Sequence, residues 1–418
     1  MARKMKDSGT DWIGEIPENW DISRTKNYYT NHKYIVGDKS TDYERLALTL
    51  NGVIKRSKND ANGLQPEEFS GYQILRENEL VFKLIDLENV STSRVGLSPY
   101  TGIVSPAYII LEKKNNTNPR YGEYFFLSMW QREIFNHLGD DGVRSSLNSS
   151  DLLNIPYLLP PTSEQEKIAD FLDKKCSEID NVVKKTKETI DEYKKLKQTV
   201  TTHAVFKGIR KNRKLKESGI AWIGKIPEEW NIRKGWTILK ILERPVKEDD
   251  GVITCFRDGE VTLRSKRRED GFTFSLQEAG YQGIEPGDLV VHGMDGFAGS
   301  IGISDSRGKA TPVLNVMDST QNKKYIMYFL RSLAYQGVFI SLATGIRVRT
   351  CDTNWNKLKK LPYILPDLKE QEEIAVYIDS QLEKINTLIQ QKELFIKELE
   401  TYKKSLIYEY VTGKKEVK

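Results

Sequence analysis

Four histidines (His32, His137, His203 and His292), three cysteines (Cys176, Cys255 and Cys351) and many carboxylates are the groups of this chain best suited to chemistry. Their spacing argues against most of it. The histidines are isolated from one another and no two cysteines form a Cys-x-x-Cys pair, so neither a zinc cluster nor a disulfide framework is expected and no metal site is assigned. His292 and Asp295 follow the strand-like run DLVV (288–291), where a hydrolase or nuclease could hold a general base. A related stretch earlier in the chain has Asp86 in the place of Asp295 but Lys83 in the place of His292, so a polar turn contact is the better reading. No methyltransferase box is present, since Asn118-Pro119-Arg120-Tyr121 does not fit one, and Gly308-Lys309 stands alone rather than in a phosphate-binding loop. No catalytic residue is assigned, and the chain is expected neither to methylate, nor to cleave, nor to hydrolyse ATP.

What remains is binding. The formal net charge is +5, a mild cationic excess that suits a nucleic-acid partner without demanding one, so local clustering of Lys and Arg matters more. No apolar run approaches the ~20 residues that span a bilayer. The opening MARKMKDSGTDW has no apolar segment of the secretory kind, which makes a reducing cytoplasm the expected compartment.

The elements that must position any binding residues are written twice. DSGTDWIGEIPENWDI (7–22) answers to ESGIAWIGKIPEEWNI (217–232), and PYLLPPTSEQEKIADFLD (156–173) to PYILPDLKEQEEIAVYID (362–379). Between these edges the relation weakens, as in GYQILRENELVF (71–82) against GYQGIEPGDLVV (280–291). A repeat of this length means two domains of one fold in tandem rather than a solenoid. Each copy opens with short β-prone runs such as LALTL and AYIIL broken by Gly, Pro, Asn and Asp, and by helical patches at 121–138 and 324–342, which predicts an α+β domain. Each closes with a long helix. The first is expected to start at Ser163 as N-cap with Glu166 completing a capping box, and to stop at Gly208; the second is expected to stop at Gly413.

Apolar residues recur at near-heptad spacing along both helices. The seam of the first is Ile168, Leu172, Ile179, Val183 and Ile190, with Cys176, Thr186, Tyr193 and Val200 in the same register. That of the second is Ile374, Ile378, Leu382, Ile385, Ile389, Ile396 and Leu399. A narrow seam cannot be buried by one helix alone, so the two are expected to pair as an antiparallel coiled coil; packing of each helix on its own domain is the plainer alternative. At 1.5 Å per residue each runs to ~65 Å. The resulting division is an N-terminal block with a first domain (1–160), a long helix (161–209), a basic linker (210–216), a second domain (217–362), and a second long helix with a tail (363–418).

The doubled order of a tryptophan-rich opening (WIGEIPENW, WIGKIPEEW), a variable domain, a Gly-x-Arg element (Gly142-Val143-Arg144, Gly345-Ile346-Arg347) and a proline hinge running into EQ-E-IA resembles the specificity subunits of type I restriction-modification systems over essentially the whole chain. The resemblance implies two target recognition domains, each reading one half of an asymmetric, bipartite site in double-stranded DNA. It implies a helix pair that sets the gap and conserved regions that dock two methyltransferase subunits, with restriction subunits joining that core. It also implies that S-adenosylmethionine, ATP and Mg2+ belong to the partner chains. The competing reading is a coiled-coil protein scaffold that never touches DNA.

A DNA reader needs cations for phosphate and donors for base edges. In the first domain Arg56, Lys58, Arg94 and the turn Arg144, Ser145, Ser146 and Asn148 are the candidates. In the second they are Arg264, Lys266, Arg267 and Arg268 of the run RSKRRED, with Arg307, Arg347 and Arg349. The four tryptophans Trp12, Trp20, Trp222 and Trp230 could stack on bases. The repeated motif, with Pro17 and Pro227 at its turns, is better read as packing against the helices or as a docking surface.

Overall fold

The computed structural model describes residues 3–60, 68–85, 87, 94–114, 117–138, 146–267, 279–341 and 353–417. The helices are α1 (Pro119–Gln131), α2 (Ser149–Asn154), α3 (Thr162–Lys207), α4 (Arg264–Arg267), α5 (Lys323–Tyr335), α6 (Val338–Ser341), α7 (Trp355–Leu358) and α8 (Leu368–Val411). The chain folds as two compact units that do not follow its linear order. Met1–Thr186 and Leu394–Lys418 make one, and Lys187–Glu393 the other, so each long helix serves both.

In the first unit Tyr29–His32, Ile109–Lys113, Leu80–Phe82 and Val95–Leu97 form one antiparallel sheet in that spatial order. Gly52–Arg56, Arg45–Thr49, Gly102–Val104 and Gln73–Leu75 form a second, with one parallel pairing at Ile103 and Arg45. The helix α1 packs its apolar face, including Tyr121, Phe125, Phe126 and Met129, into the main core with Phe82, Tyr157 and Leu172. Asn118 caps its N-terminus and Pro119 takes the first helical position, as the preset φ of proline favours. The second unit repeats this plan. Leu239–Ile241, Leu314–Ser319, Leu289–His292 and Ile301–Ile303 form the four-stranded sheet, and α5 covers it. The counterpart of the other sheet is present as two antiparallel pairs, Ile253–Cys255 with Val261–Leu263 and Gln282–Ile284 with Gly308–Ala310. The expected α+β class therefore holds in both copies.

The helix α3 runs without a glycine or proline for 46 residues and α8 for 44, and glycines with left-handed backbone follow both, Gly208 at φ +74° and Gly413 at φ +70°. The expected cap at Ser163 is two residues late. The helix begins at Thr162, and the amides of Glu164 and Gln165 both bond the Pro161 carbonyl, so Ser163 lies inside the first turn. In α8 the side chain of Asp367 caps the amide of Glu370 at 2.8 Å.

Within each unit the two helices run antiparallel. In the first unit Phe171 lies against Tyr410, ring centroids 4.4 Å apart, and Asp180 against Lys403 at 2.6 Å. In the second, Lys197 bonds Asn386 at 2.8 Å and Arg210 bonds Glu373 at 2.8 Å. The seam residues Ile168, Leu172, Ile179, Val183, Ile190, Ile374, Ile378 and Ile385 are buried, whereas Leu382, Ile389, Ile396 and Leu399 are half-buried. The burial is deepest where a domain also covers the helix. Both alternatives for the seam are therefore realised together: the helices pair, and each domain roofs the pair.

The segment 210–216 is not a free linker. Arg210 and Arg213 are tied to α8, and Leu215–Glu217 pairs with Lys225–Pro227 as a strand. The first unit has the same pieces, with Arg3 tied to α3 and Met5–Asp7 paired with Glu15–Pro17.

Candidate nucleic-acid interface

Each domain is held to the helices by the same junction. Glu164, in the first turn of α3, receives the Trp20 indole N–H at 2.9 Å and the Arg3 guanidinium at 2.6 and 2.9 Å. Its neighbour Gln165 accepts from the Asn118 amide at 2.8 Å and donates to the Pro160 carbonyl at 2.8 Å. In the second unit Glu370 receives Trp230 at 3.2 Å and the Arg213 fork, while Gln371 accepts from the Asn322 amide at 3.0 Å and donates to the Pro366 carbonyl at 2.9 Å. Successive helix residues lie about 100° apart around the axis, so an adjacent Glu and Gln reach two neighbours at once. The carboxylate grips the tryptophan block and the amide grips the cap of α1 or α5.

Two tyrosines complete the junction. Tyr121 donates to the Val411 carbonyl of α8 at 3.0 Å, and Tyr325 reaches the Val205 carbonyl of α3 at 3.4 Å while lying closer, at 2.9 Å, to the Ile364 carbonyl of its own domain. Burial pushes both phenols well above their ordinary range, which keeps them as O–H donors. Trp20 and Trp230 are thus fully buried and closed to base stacking, while Trp12 and Trp222 are half-buried. The sequence carried a signal for this junction, the EQ pair at both hinges and an arginine ahead of each tryptophan block, but it did not show the partners.

The groups that could suggest catalysis are occupied. His292 Nδ1 accepts the amides of Met294 at 3.2 Å and Asp295 at 3.0 Å, and burial lowers its pKa, so the ring is a neutral turn cap. Burial pushes the Cys255 thiol up to about 12 and raises that of Cys176, which leaves neither as a ready thiolate.

The candidate DNA contacts separate into three kinds. Arg56 ends the strand Gly52–Arg56 and pairs with Asp60 at 2.8 Å, and Lys58 donates to the Ser40 carbonyl at 2.6 Å. Together with Arg45 and Lys55 they surround an open hollow of about 410 Å³. Ser146 is exposed, and Asn148 is exposed but caps α2 through the amides of Ser150 and Asp151. Arg94 departs from expectation: it is fully buried and offers DNA no surface. Arg144, Ser145, Arg268, Arg347 and Arg349 lie outside the described residues.

In the second unit the basic run is not a bare patch. Arg267 pairs with Asp258 at 2.7 Å and Glu260 at 2.7 Å and lies over the Phe256 ring. Lys266 donates to Ser306 at 2.6 Å, Arg264 to Thr254 at 3.3 Å, and Arg307 is held by Asp250 at 2.9 Å and by Glu285. Carboxylates outside the run converge on Arg267, Lys266 and Arg307, from the neighbouring hairpin for Arg267 and from farther along the chain for the other two.

Residues 16–192 match the family model of the type I restriction modification DNA specificity domain. By that match the first part of the chain is similar to the type I restriction-modification specificity subunits. It is 24% identical, over 97% of its length and 96% of the relative's, to a Methanocaldococcus jannaschii protein assigned as the MjaX type I restriction enzyme specificity subunit. Its fold is that of a chain from a structure on complex assembly and conformational transition of the type I R-M system, with a TM-score of 0.69, 13% identity and coverage of 95% of this chain and 98% of that one. The HsdS subunit from Thermoanaerobacter tengcongensis is similar at a TM-score of 0.52, 13% identity and the same coverage. Among the described residues no helix of this chain is long and apolar enough to cross a membrane.

Proposed function

We propose that each unit reads one half of an asymmetric, bipartite site in double-stranded DNA, that the antiparallel helices set the non-specific gap, and that the chain does no chemistry of its own. The observation that carries the reading is the contrast between the two copies. The junctions to the helices are the same residue for residue, whereas the domain interiors carry different charges on one scaffold. A duplicated mount holding two different faces suits two different half-sites.

Methyltransferase subunits are assigned to the conserved junctions and helices. Leu394 (61% exposed), Phe395 (43%) and Tyr402 (53%) supply apolar surface on α8 for such a partner. S-adenosylmethionine, ATP and Mg2+ are assigned to the methyltransferase and restriction chains, in a cytoplasmic complex.

The test is co-expression with the methyltransferase subunit encoded nearest to this chain, followed by methylome sequencing. One split motif with a constant gap is the expected result. Replacing residues 233–360 with another such domain should change one half only, and removing a heptad from both helices should shorten the gap. A soluble, assembled complex that adds no methylation would favour the protein-scaffold reading instead.

A further inference from the structure

The four-stranded sheets of the two units carry a pair of carboxylates at matching positions, and the units neutralise them differently. In the second unit Asp288, at the turn before Leu289–His292, is gripped by Arg244, and Asp318, on the adjoining strand, pairs with Lys323 at 3.0 Å. The strand register places Glu79 at the position of Asp288 and Glu112 at that of Asp318, since Val81 lies opposite Ile110 as Val290 lies opposite Val316. The cations are not retained. Tyr34 stands where the second unit has Arg244, and Pro119 where it has Lys323. In their stead His32, at the end of Tyr29–His32, places Nε2 2.9 Å from Glu79 Oε1.

His32, Glu79 and Glu112 offer one ligand atom each, all within 4.8 Å of one another. The side chains of His32 and Glu79 are 6% and 5% exposed. Arg76 approaches Glu79 only at 3.8 Å and is half exposed, and Glu112 has no ion-pair partner among the described residues. Where the second unit sets two closely paired cations against its two carboxylates, the first sets an imidazole and the more distant guanidinium of Arg76, whose amide also donates to Glu79 at 2.7 Å.

We propose that the first unit binds one divalent transition-metal ion through His32 Nε2, Glu79 and Glu112, the ion taking the place that Arg244 and Lys323 fill in the second unit. One imidazole and two carboxylates are a donor set that suits a first-row divalent ion such as Mn2+, Fe2+, Co2+ or Zn2+. Binding breaks the contact between His32 Nε2 and Glu79, leaves the imidazole proton on Nδ1, and ties two strands and a turn of one sheet together. Nδ1 is enclosed without a hydrogen-bond partner among the described residues. His32 also lines a hollow of about 240 Å³. The four histidines are isolated in the sequence, and only the sheet register brings one of them beside two carboxylates.

The full-length chain, stripped with chelator, is titrated with Co2+ and followed by its visible absorption and by calorimetry. One saturable site per chain is expected, with melting raised by the metal. Glu112→Gln, a half-exposed change that leaves the strand intact, should weaken binding by more than the ~10–100-fold that loss of an outer partner brings. His32→Gln should do the same. Tyr34→Arg installs the second unit's solution and should abolish binding while the circular dichroism and melting of the metal-free protein are kept. Absence of saturable binding at millimolar Co2+, or binding that survives both Glu112→Gln and Tyr34→Arg, would overturn the assignment.

Discussion

In the first unit Trp20 and Arg3 share the carboxylate of Glu164; in the second Trp230 and Arg213 share that of Glu370. The connectivity is the same, yet the surroundings differ. The side chains of Glu164 and Arg3 are 21% and 20% exposed, whereas those of Glu370 and Arg213 are 2% and 10%. Arg210 also approaches Glu370 at 3.9 Å, and Glu229 holds Arg213 from the other side. One junction is wet and simple, the other enclosed and part of a network. The motif therefore specifies geometry, and its energetic weight is set by how much water the neighbours exclude.

The largest effect should come from removing the enclosed carboxylate. Glu370→Ala leaves Arg213 and the Trp230 N–H buried without it, at an expected cost of about 3–5 kcal/mol. Glu164→Ala should cost about 1–3 kcal/mol, because water can reach Arg3. Urea unfolding of the two variants, with the transitions of the two units assigned by their tryptophans, measures both. Equal losses would mean that burial does not distinguish the junctions.

The stop glycines give a smaller test of the same pairing. Both have left-handed backbone, which costs a residue with a Cβ about 1–2 kcal/mol. At Gly208 the new atom would meet the Arg213 guanidinium at 2.8 Å and come within 3.2 Å of Glu370 and Trp230. At Gly413 it would press into the Pro17 ring and come within 3.1 Å of Trp20. Gly413→Ala should therefore exceed Gly208→Ala by about 1 kcal/mol or more, since a proline ring under a helix end cannot swing aside.

Much of this was legible in the sequence, and for a physical reason. Helix length, seam and stop depend on local spacing, so Ile168 to Ile190 and Gly208 could be read directly. The two-domain plan was legible because the chain repeats it. The exchange of helix halves between units was not, because Leu394–Val411 joins the first unit only in three dimensions. The candidate DNA contacts were least legible. A basic residue in a list carries no record of the carboxylate or the burial that folding will bring to it: Arg267 and Arg307 changed meaning through their carboxylates, and Arg94 through its burial.

Arg307 turns that last point into a measurement. Burial would raise the carboxyl of Asp250, but the Lys247 amide and the Arg307 guanidinium outweigh it and hold it below the usual carboxylate range. A folded value below the unfolded one means stability that is fully present above the unfolded value of ~3.9 and is lost as pH falls through the folded value. In Arg307→Ala the burial acts with only the amide opposing it. The variant should lose about 1–2 kcal/mol at neutral pH. It should also show a shallower fall in stability than wild type below pH ~4, read from urea midpoints across the acid range. Its DNA affinity should keep the wild-type salt slope, because a guanidinium already held by Asp250 and Glu285 releases few counterions from phosphate. Arg144→Ala should instead reduce that slope by about 1. If Arg307→Ala changes the slope and leaves the acid profile alone, the ion pair opens to meet DNA, and the division between cations spent inside the fold and cations kept for phosphate has to be redrawn.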